Sequence, residues 1–133
     1  MKKVLSILLV LILGLGLFVG CGQKAEPLNL NGEWKSEKFK AVIENDYITI
    51  EWNNEDTQTT ALYWAGSVEV PKDIMSNEEY KWTSKNDTKK TSSALLASSD
   101  DTKEFTYKDG TITFKYSAMG VNSTANLTKV ENK

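Results

Sequence analysis

From residue 31 onward, the chain consists of short runs in which apolar and polar residues alternate, with turn-forming residues between the runs. In the run 47–52, for example, Ile48, Ile50 and Trp52 fall on one face and polar or amphipathic residues on the other. An alternation with a period of two is typical of half-buried β-strands, because successive side chains of a strand point to opposite faces. The pattern therefore predicts an all-β protein and argues against a helical one.

The strand runs follow each other at short spacing with local connections. The clearest hairpin spans residues 103–117, where Asp109-Gly110 predicts a two-residue turn between alternating aromatic and aliphatic residues. Asn45-Asp46 is a second turn pair that tolerates a left-handed backbone. A weaker strand is predicted at 93–98, and residues 71–79 predict a loop rather than a helical turn. We therefore expect an antiparallel up-and-down meander of eight or nine strands.

Such a meander has two free edges unless it closes on itself. Closure into a small barrel removes both edges, whereas a β-sandwich is the alternative arrangement. The local connections favour the barrel. We expect residues 31–133 to form this barrel domain, preceded by an N-terminal signal helix.

The first twenty residues have the composition of a targeting segment. Lys2 and Lys3 precede the run 4–20, which is apolar apart from Ser6. This order is typical of a secretory signal peptide. A transmembrane helix is the competing interpretation, but it needs about 20 apolar residues and the run is shorter and contains glycines.

The end of this run resembles the lipobox of bacterial lipoproteins. Phe18, Val19 and Gly20 precede Cys21, the single cysteine of the chain. The resemblance implies that residues 1–20 are a signal peptide that is removed, and that Cys21 then begins the mature protein. It further implies that Cys21 carries a diacylglycerol that anchors the chain at the extracytoplasmic face of the bacterial cell membrane. Residues 21–30 would then form a lipidated tether.

Other roles for Cys21 have less support. The chain contains no histidine and no second cysteine, so a zinc site and a cysteine–histidine nucleophile both lack partners. Cys21 also lies between an apolar run and a polar stretch rather than within an alternating strand. A disulfide between two molecules remains open.

The composition also bears on what the barrel can bind or catalyse. All 16 basic residues are lysines and the net charge is −2, so the chain lacks the basic surface and the arginines typical of nucleic-acid binding. Adjacent acidic residues lie in expected turns, where they are ordinarily solvated. We therefore predict no nucleic-acid partner, no metal, no cofactor and no catalytic residues, which means that the protein is not an enzyme.

The start of the first strand resembles that of the lipocalins and the wider calycin group of barrels. Gly32 and Trp34 match the Gly-x-Trp of that group. The resemblance implies a compact lipocalin-like barrel in which Trp34 packs across the barrel floor.

The predicted strand faces place large aromatic residues inside the barrel. They either fill the core or wall a pocket for a small apolar ligand. The candidate ligand-binding residues are Trp34, Trp52, Trp64, Trp82 and Phe114. Tyr47, Tyr63 and Leu95 are expected on the outside, where a cluster would indicate an interface with a protein partner.

These observations together predict a membrane-anchored, extracytoplasmic lipoprotein that acts as a non-enzymatic binding or interaction module. Its partner would be a small apolar ligand, carried as in lipocalins, or a cell-surface protein that it inhibits or excludes.

Overall fold

The computed structural model describes residues 26–131 except Glu55. The predicted signal peptide 1–20 and the predicted lipid-bearing Cys21 lie outside the described residues. The described chain contains eight strands and one short helix. They are β1 (Gly32–Lys35), β2 (Phe39–Glu44), β3 (Tyr47–Asn54), β4 (Thr59–Ser67), β5 (Tyr80–Lys85), α1 (Thr88–Thr91), β6 (Thr102–Lys108), β7 (Thr111–Ala118) and β8 (Val121–Lys129).

All eight strands belong to one antiparallel sheet in the order β4-β3-β2-β1-β8-β7-β6-β5. The first and last strands pair through Trp34 opposite Lys129 and Lys35 opposite Thr128. The two edge strands, β4 and β5, meet where Gly66 of β4 forms a single bridge with Asn86, the residue that follows β5. The sheet is thus a nearly closed up-and-down barrel, which confirms the predicted fold class.

The predicted ninth strand at 93–98 does not form. Its apolar residues are consecutive rather than alternating, so the segment has no single face to bury. It follows α1 as a loop, and the backbone N–H of Ser98 donates a hydrogen bond of 2.8 Å to the Tyr63 carbonyl. This loop covers part of the β4 edge.

Two tight hairpin turns agree with the sequence prediction. Asn45 and Asp46 have φ angles of 52° and 61°, and Asp109 and Gly110 have φ angles of 51° and 80°. Two consecutive positive φ angles define the turn that matches the right-handed twist of paired strands. These turns fix the registers of β2 with β3 and of β6 with β7 locally.

The barrel interior is filled by aromatic and aliphatic side chains. In β2, Phe39, Ala41 and Ile43 are buried, whereas the residues between them are exposed. The Phe39 ring is the centre of an aromatic cluster, with centroid distances of 4.5 to 5.2 Å to four other rings. These rings belong to Trp52, Tyr63, Phe114 and Tyr116.

A β-bulge in β4 interrupts the alternation. Ile50 of β3 lies opposite Trp64 and the next residue, Glu51, lies opposite Leu62, so Tyr63 is the extra residue. Both Tyr63 and Trp64 are consequently buried. The expectation that Tyr63 faces outward was wrong, because strict alternation does not allow for the inserted residue.

The two ends of the barrel differ. We call the end that carries the turns 45–46 and 109–110 the entry end, because the segment 26–31 also lies there. The backbone N–H of Leu28 donates to the Ile74 carbonyl at 2.9 Å, and the side chains of Leu28 and Leu30 are buried. Part of the segment expected as tether therefore packs onto the barrel.

We call the opposite end the open end. It carries the connections from β1 to β2, from β3 to β4, from β5 to β6 and from β7 to β8.

Candidate functional site: the open end of the barrel

A cleft of about 670 Å³ lies at the open end. The aromatic side chains of Trp52, Tyr63 and Tyr116 line it on the barrel side, and the loop 96–100 lines it on the other side. Its volume is within the range of about 300–1,000 Å³ that is usual for small-molecule sites. We call this cleft the mouth cleft.

Hydrogen bonds tie the loop 96–100 to the barrel. The Trp52 Nε1–H donates to the Leu96 carbonyl at 2.9 Å, and the Asn86 amide Nδ2 donates to the Asp100 carbonyl at 2.8 Å. Thr91 Oγ1 in turn donates to Asn86 Oδ1. The loop therefore has a defined position over the mouth cleft, set by side chains from β3 and from the region around α1.

Large exposed apolar side chains concentrate at this same end. Leu95 and Met119 are fully exposed, with 96% and 103% of their surface accessible, and Leu96 and Val121 are more than half exposed. In the described part of the chain, Val42 on β2 is the one other large apolar residue with an exposed side chain. We call the set Leu95, Leu96, Met119 and Val121 the apolar rim. A concentration of exposed apolar groups at one end of a protein is typical of interaction surfaces.

The wall of the barrel opens beside the mouth cleft. β6 and β7 pair only from Phe105 opposite Phe114 to Lys108 opposite Thr111, so residues 102–104 and 115–118 have no partner across this boundary. A second cleft, of about 480 Å³, lies in this gap. We call it the lateral slit.

The lateral slit contains Lys103, whose side chain is buried. Its ammonium Nζ donates to the Lys115 carbonyl at 3.0 Å and lies 3.5 Å from Asp100 Oδ2. It also lies 5.2 Å and 5.4 Å from the ring centroids of Tyr63 and Trp64. The ammonium thus occupies the place of a backbone donor where the strand ladder stops.

Burial lowers the pKa of the Lys103 ammonium below its ordinary value, and the nearby Asp100 carboxylate partly offsets this change. The sequence analysis did not single out Lys103. A signal was present, because Lys103 shares the alternating face of Phe105 and Tyr107 in β6. A buried cation with an altered pKa in a cleft is a typical sign of a binding site.

Two tyrosines, one at the mouth cleft and one beside α1, also have raised pKa values. Burial, reinforced by the charge of Asp100, raises the pKa of Tyr63 to about 12. Burial and the hydrogen bond from its hydroxyl to Asp87 Oδ2, at 2.7 Å, raise the pKa of Tyr47 to about 12. Tyr47 packs beside α1, with Lys90 Nζ 4.6 Å from its ring centroid, so it does not form an aromatic surface patch with Tyr63.

The five predicted ligand-binding residues do not share one pocket wall. Trp52 lines the mouth cleft and Phe114 lines the lateral slit. Trp64 is buried and its Nε1–H donates to Ser84 Oγ at 3.0 Å. Trp82 is buried and stacks on Phe105 with a centroid distance of 5.1 Å. Their role in ligand binding stays a prediction.

Trp34 lies at the entry end. Its Nε1–H donates to the Leu30 carbonyl at 2.8 Å, and Lys129 Nζ lies 5.8 Å from its ring centroid. The nearly closed antiparallel barrel of eight strands, in which Trp34 is buried near the start of the first strand, is consistent with a calycin-like barrel.

Within residues 26–131, Glu55 apart, no three His, Cys, Asp or Glu side chains are grouped so that they could hold a metal ion. In the same part of the chain, none of the helices has the length and apolar character needed to cross a bilayer. No family model, no curated protein and no solved structure matches this chain.

Proposed function

We propose that this protein is a membrane-anchored extracytoplasmic lipoprotein and that its barrel is a non-enzymatic binding or interaction module. The anchor would be the diacylglycerol on Cys21, and the interaction surface would be the open end with its apolar rim.

The position of the chain entry supports this proposal. Five residue steps separate Cys21 from Glu26, which corresponds to at most about 18 Å of extended chain. Glu26 lies at the entry end, where its carbonyl accepts a hydrogen bond of 2.7 Å from the Ser76 N–H. A short anchor at one end of a barrel directs the other end away from the bilayer, which is where the mouth cleft and the apolar rim lie.

The location of the apolar rim favours a surface protein as the partner. Four of the five large exposed apolar side chains in the described residues lie at this end, and such a concentration is typical of a contact surface. The barrel interior below this cleft, by contrast, is filled by buried side chains such as Ile43, Ile50 and Leu127, so a carrier function would have to use the mouth cleft. That cleft, lined by Trp52, Tyr63 and Tyr116, keeps a lipocalin-like carrier of a small apolar ligand as a second candidate.

The anchor is tested by fractionation of cells that produce Cys21→Ala. We expect the wild-type chain in the membrane fraction in processed form and the variant in unprocessed or released form. Processing and membrane retention of the variant at wild-type levels would refute the lipoprotein assignment.

The interaction surface is tested by site-specific photo-crosslinking in cells, from position 95 in the apolar rim and from position 42 as a matched exposed site on β2. We expect a discrete protein adduct from position 95 that is absent from position 42 and that decreases with Met119→Ser. Equal adducts from both positions, or none from position 95, would contradict a protein contact at the open end.

A further inference from the structure

We propose that the lateral slit is a binding site for a small carboxylate, with the Lys103 ammonium as its counter-ion. This inference goes beyond the proposed function, because it concerns the wall of the barrel between β6 and β7 and does not depend on the anchor or on the apolar rim.

The first observation is that Lys103 is the one charged side chain that is buried in the described part of the chain. Moving an ammonium out of water into an aromatic interior is strongly unfavourable unless new contacts compensate for the lost hydration. The Lys115 carbonyl, at 3.0 Å, supplies one good hydrogen bond. A lysine ammonium has three donors, so this contact leaves two of them for other acceptors.

The second observation is that the ionic partner of Lys103 is loosely placed. Asp100 Oδ2 lies 3.5 Å from Nζ, and the Asp100 side chain is 64% exposed, whereas that of Lys103 is 6% exposed. Asp100 Oδ2 also accepts a hydrogen bond of 3.1 Å from Ser98 Oγ within the same loop. A carboxylate that binds from the slit could therefore replace Asp100 on Lys103 without leaving Asp100 buried and unpaired.

The native occupant also indicates the ligand class. The position next to Lys103 already accommodates a carboxylate, in the form of Asp100, so a carboxylate of a ligand fits the same position. Phe114 is the one apolar residue in the lining of the slit, and the rings of Tyr63 and Trp64, which are not part of that lining, lie 5.2 Å and 5.4 Å from Nζ. These surroundings favour a carboxylate attached to an apolar or aromatic group over a strongly hydrated anion.

The remaining lining of the slit is compatible with an anion. It includes the lysines 81 and 115 and the threonine hydroxyls of residues 102, 106, 113 and 124, and the acidic side chains of Asp100 and Glu104. Three lysines against two acids leave a positive balance next to the gap. Threonine hydroxyls add donors for the oxygen atoms of a carboxylate.

A purely structural role for Lys103 makes a different prediction. If Lys103 only fills the gap in the strand ladder, its replacement by an uncharged side chain of similar length changes stability but no ligand affinity, because there is no ligand. Ligand titration therefore distinguishes the two roles.

The test is a titration of the full-length chain in detergent with benzoate, with inorganic phosphate as a competing probe, followed through the side-chain NMR signals of Lys103. We expect saturable shifts with the wild-type chain and affinity reduced at least about tenfold in Lys103→Met. Asp100→Asn, which removes the competing carboxylate, should bind benzoate several times more tightly than the wild type. Lys40→Met on the exposed face of β2 removes the same charge and should leave the affinity unchanged.

Three outcomes would overturn the inference: equal affinity in Lys103→Met, weaker or unchanged binding in Asp100→Asn, or phosphate that competes as well as benzoate. If Lys103→Met does not fold, two measurements still test the inference. They are the benzoate affinity of Asp100→Asn, which changes an exposed residue, and the shifts of the Lys103 signals in the wild-type chain. Membrane fractionation and crosslinking from position 95 test the proposed function separately, so either proposal can fail alone.

Discussion

The entry end and the open end of this barrel are built from the same strands but differ in how closely their structure follows local sequence preferences. At the entry end, the two tight turns and the buried side chain of Trp34 agree with local sequence preferences. At the open end, β4 bulges, the β6–β7 ladder stops early, Lys103 is buried and the apolar rim is exposed.

The contrast indicates where stability and where binding reside. Sequences that specify one fold keep local and global preferences consistent, and departures concentrate at functional sites. The entry end supplies the consistent part, and the open end holds the departures. Substitutions that compare equivalent residues at the two ends can therefore test whether this division is real.

The largest expected difference is between two tryptophans. Trp34→Ala should lower the free energy of unfolding by about 3–5 kcal/mol, because it empties a buried site and leaves the Leu30 carbonyl without its donor. Trp52 is only half-buried at the open end, so Trp52→Ala should cost about 1–2 kcal/mol. Urea denaturation followed by far-UV circular dichroism measures both. A larger loss of unfolding free energy for Trp52→Ala than for Trp34→Ala would contradict the assignment of stability to the entry end.

The next largest effect on stability concerns the contact between the edge strands β4 and β5. A Cβ atom at Gly66 would lie 2.4 Å from Ser84 Oγ and 2.5 Å from the Lys85 carbonyl, so Gly66→Ala must push the two strands apart. We expect a loss of about 1–3 kcal/mol. Faster hydrogen exchange of the Asp87 N–H, which donates to the Ala65 carbonyl at 2.7 Å, should accompany it.

Gly120→Ala at the open end is the control for this substitution. Its Cβ would meet open space, and only the positive φ of 77° opposes it, at about 1 kcal/mol. If Gly66→Ala lowers the free energy of unfolding no more than Gly120→Ala does, and the hydrogen exchange of the Asp87 N–H is unchanged, then β4 and β5 are not in contact at this position.

The smallest effect is a change in alkaline stability. Burial raises the pKa of Tyr63 to about 12, above its ordinary value of 10. A raised pKa contributes stability that is fully present below pH 10 and is lost as the pH rises from 10 to about 12. By pH 11 the wild type should have lost about 1 kcal/mol more than Tyr63→Phe. Parallel denaturation curves for the two proteins across pH 9–12 would show that the Tyr63 hydroxyl is not held in a buried site.

Much of the fold could be predicted from the sequence because its determinants are local. The alternation in β2 and the turn pairs at 45–46 and 109–110 act within a few residues, and the structure confirms them. The candidate site was predictable only in part. Trp52 does reach a cleft, but the segment 93–98 was misassigned as a strand and Tyr63 was placed on the wrong face.

The error at 93–98 is local, because its apolar residues do not alternate, whereas the error at Tyr63 originates in pairing between distant parts of the chain. A bulge exists only relative to the partner strand, so the inward position of Tyr63 depends on Ile50 in β3. Leu95 is exposed because its segment forms a loop along the β4 edge and does not pair as a strand of the barrel.

The sequence by itself determined that the chain forms an antiparallel β-meander, since side-chain alternation and turn chemistry are properties of neighbouring residues. Only the tertiary structure decided that the ladder between β6 and β7 stops at Phe105 and Phe114 and that Lys103 is buried in the gap. Closure requires β1 to pair with β8 and β4 to meet β5 in the same molecule. The positions at which these pairings leave a gap are set by the geometry of the whole barrel rather than by any one strand.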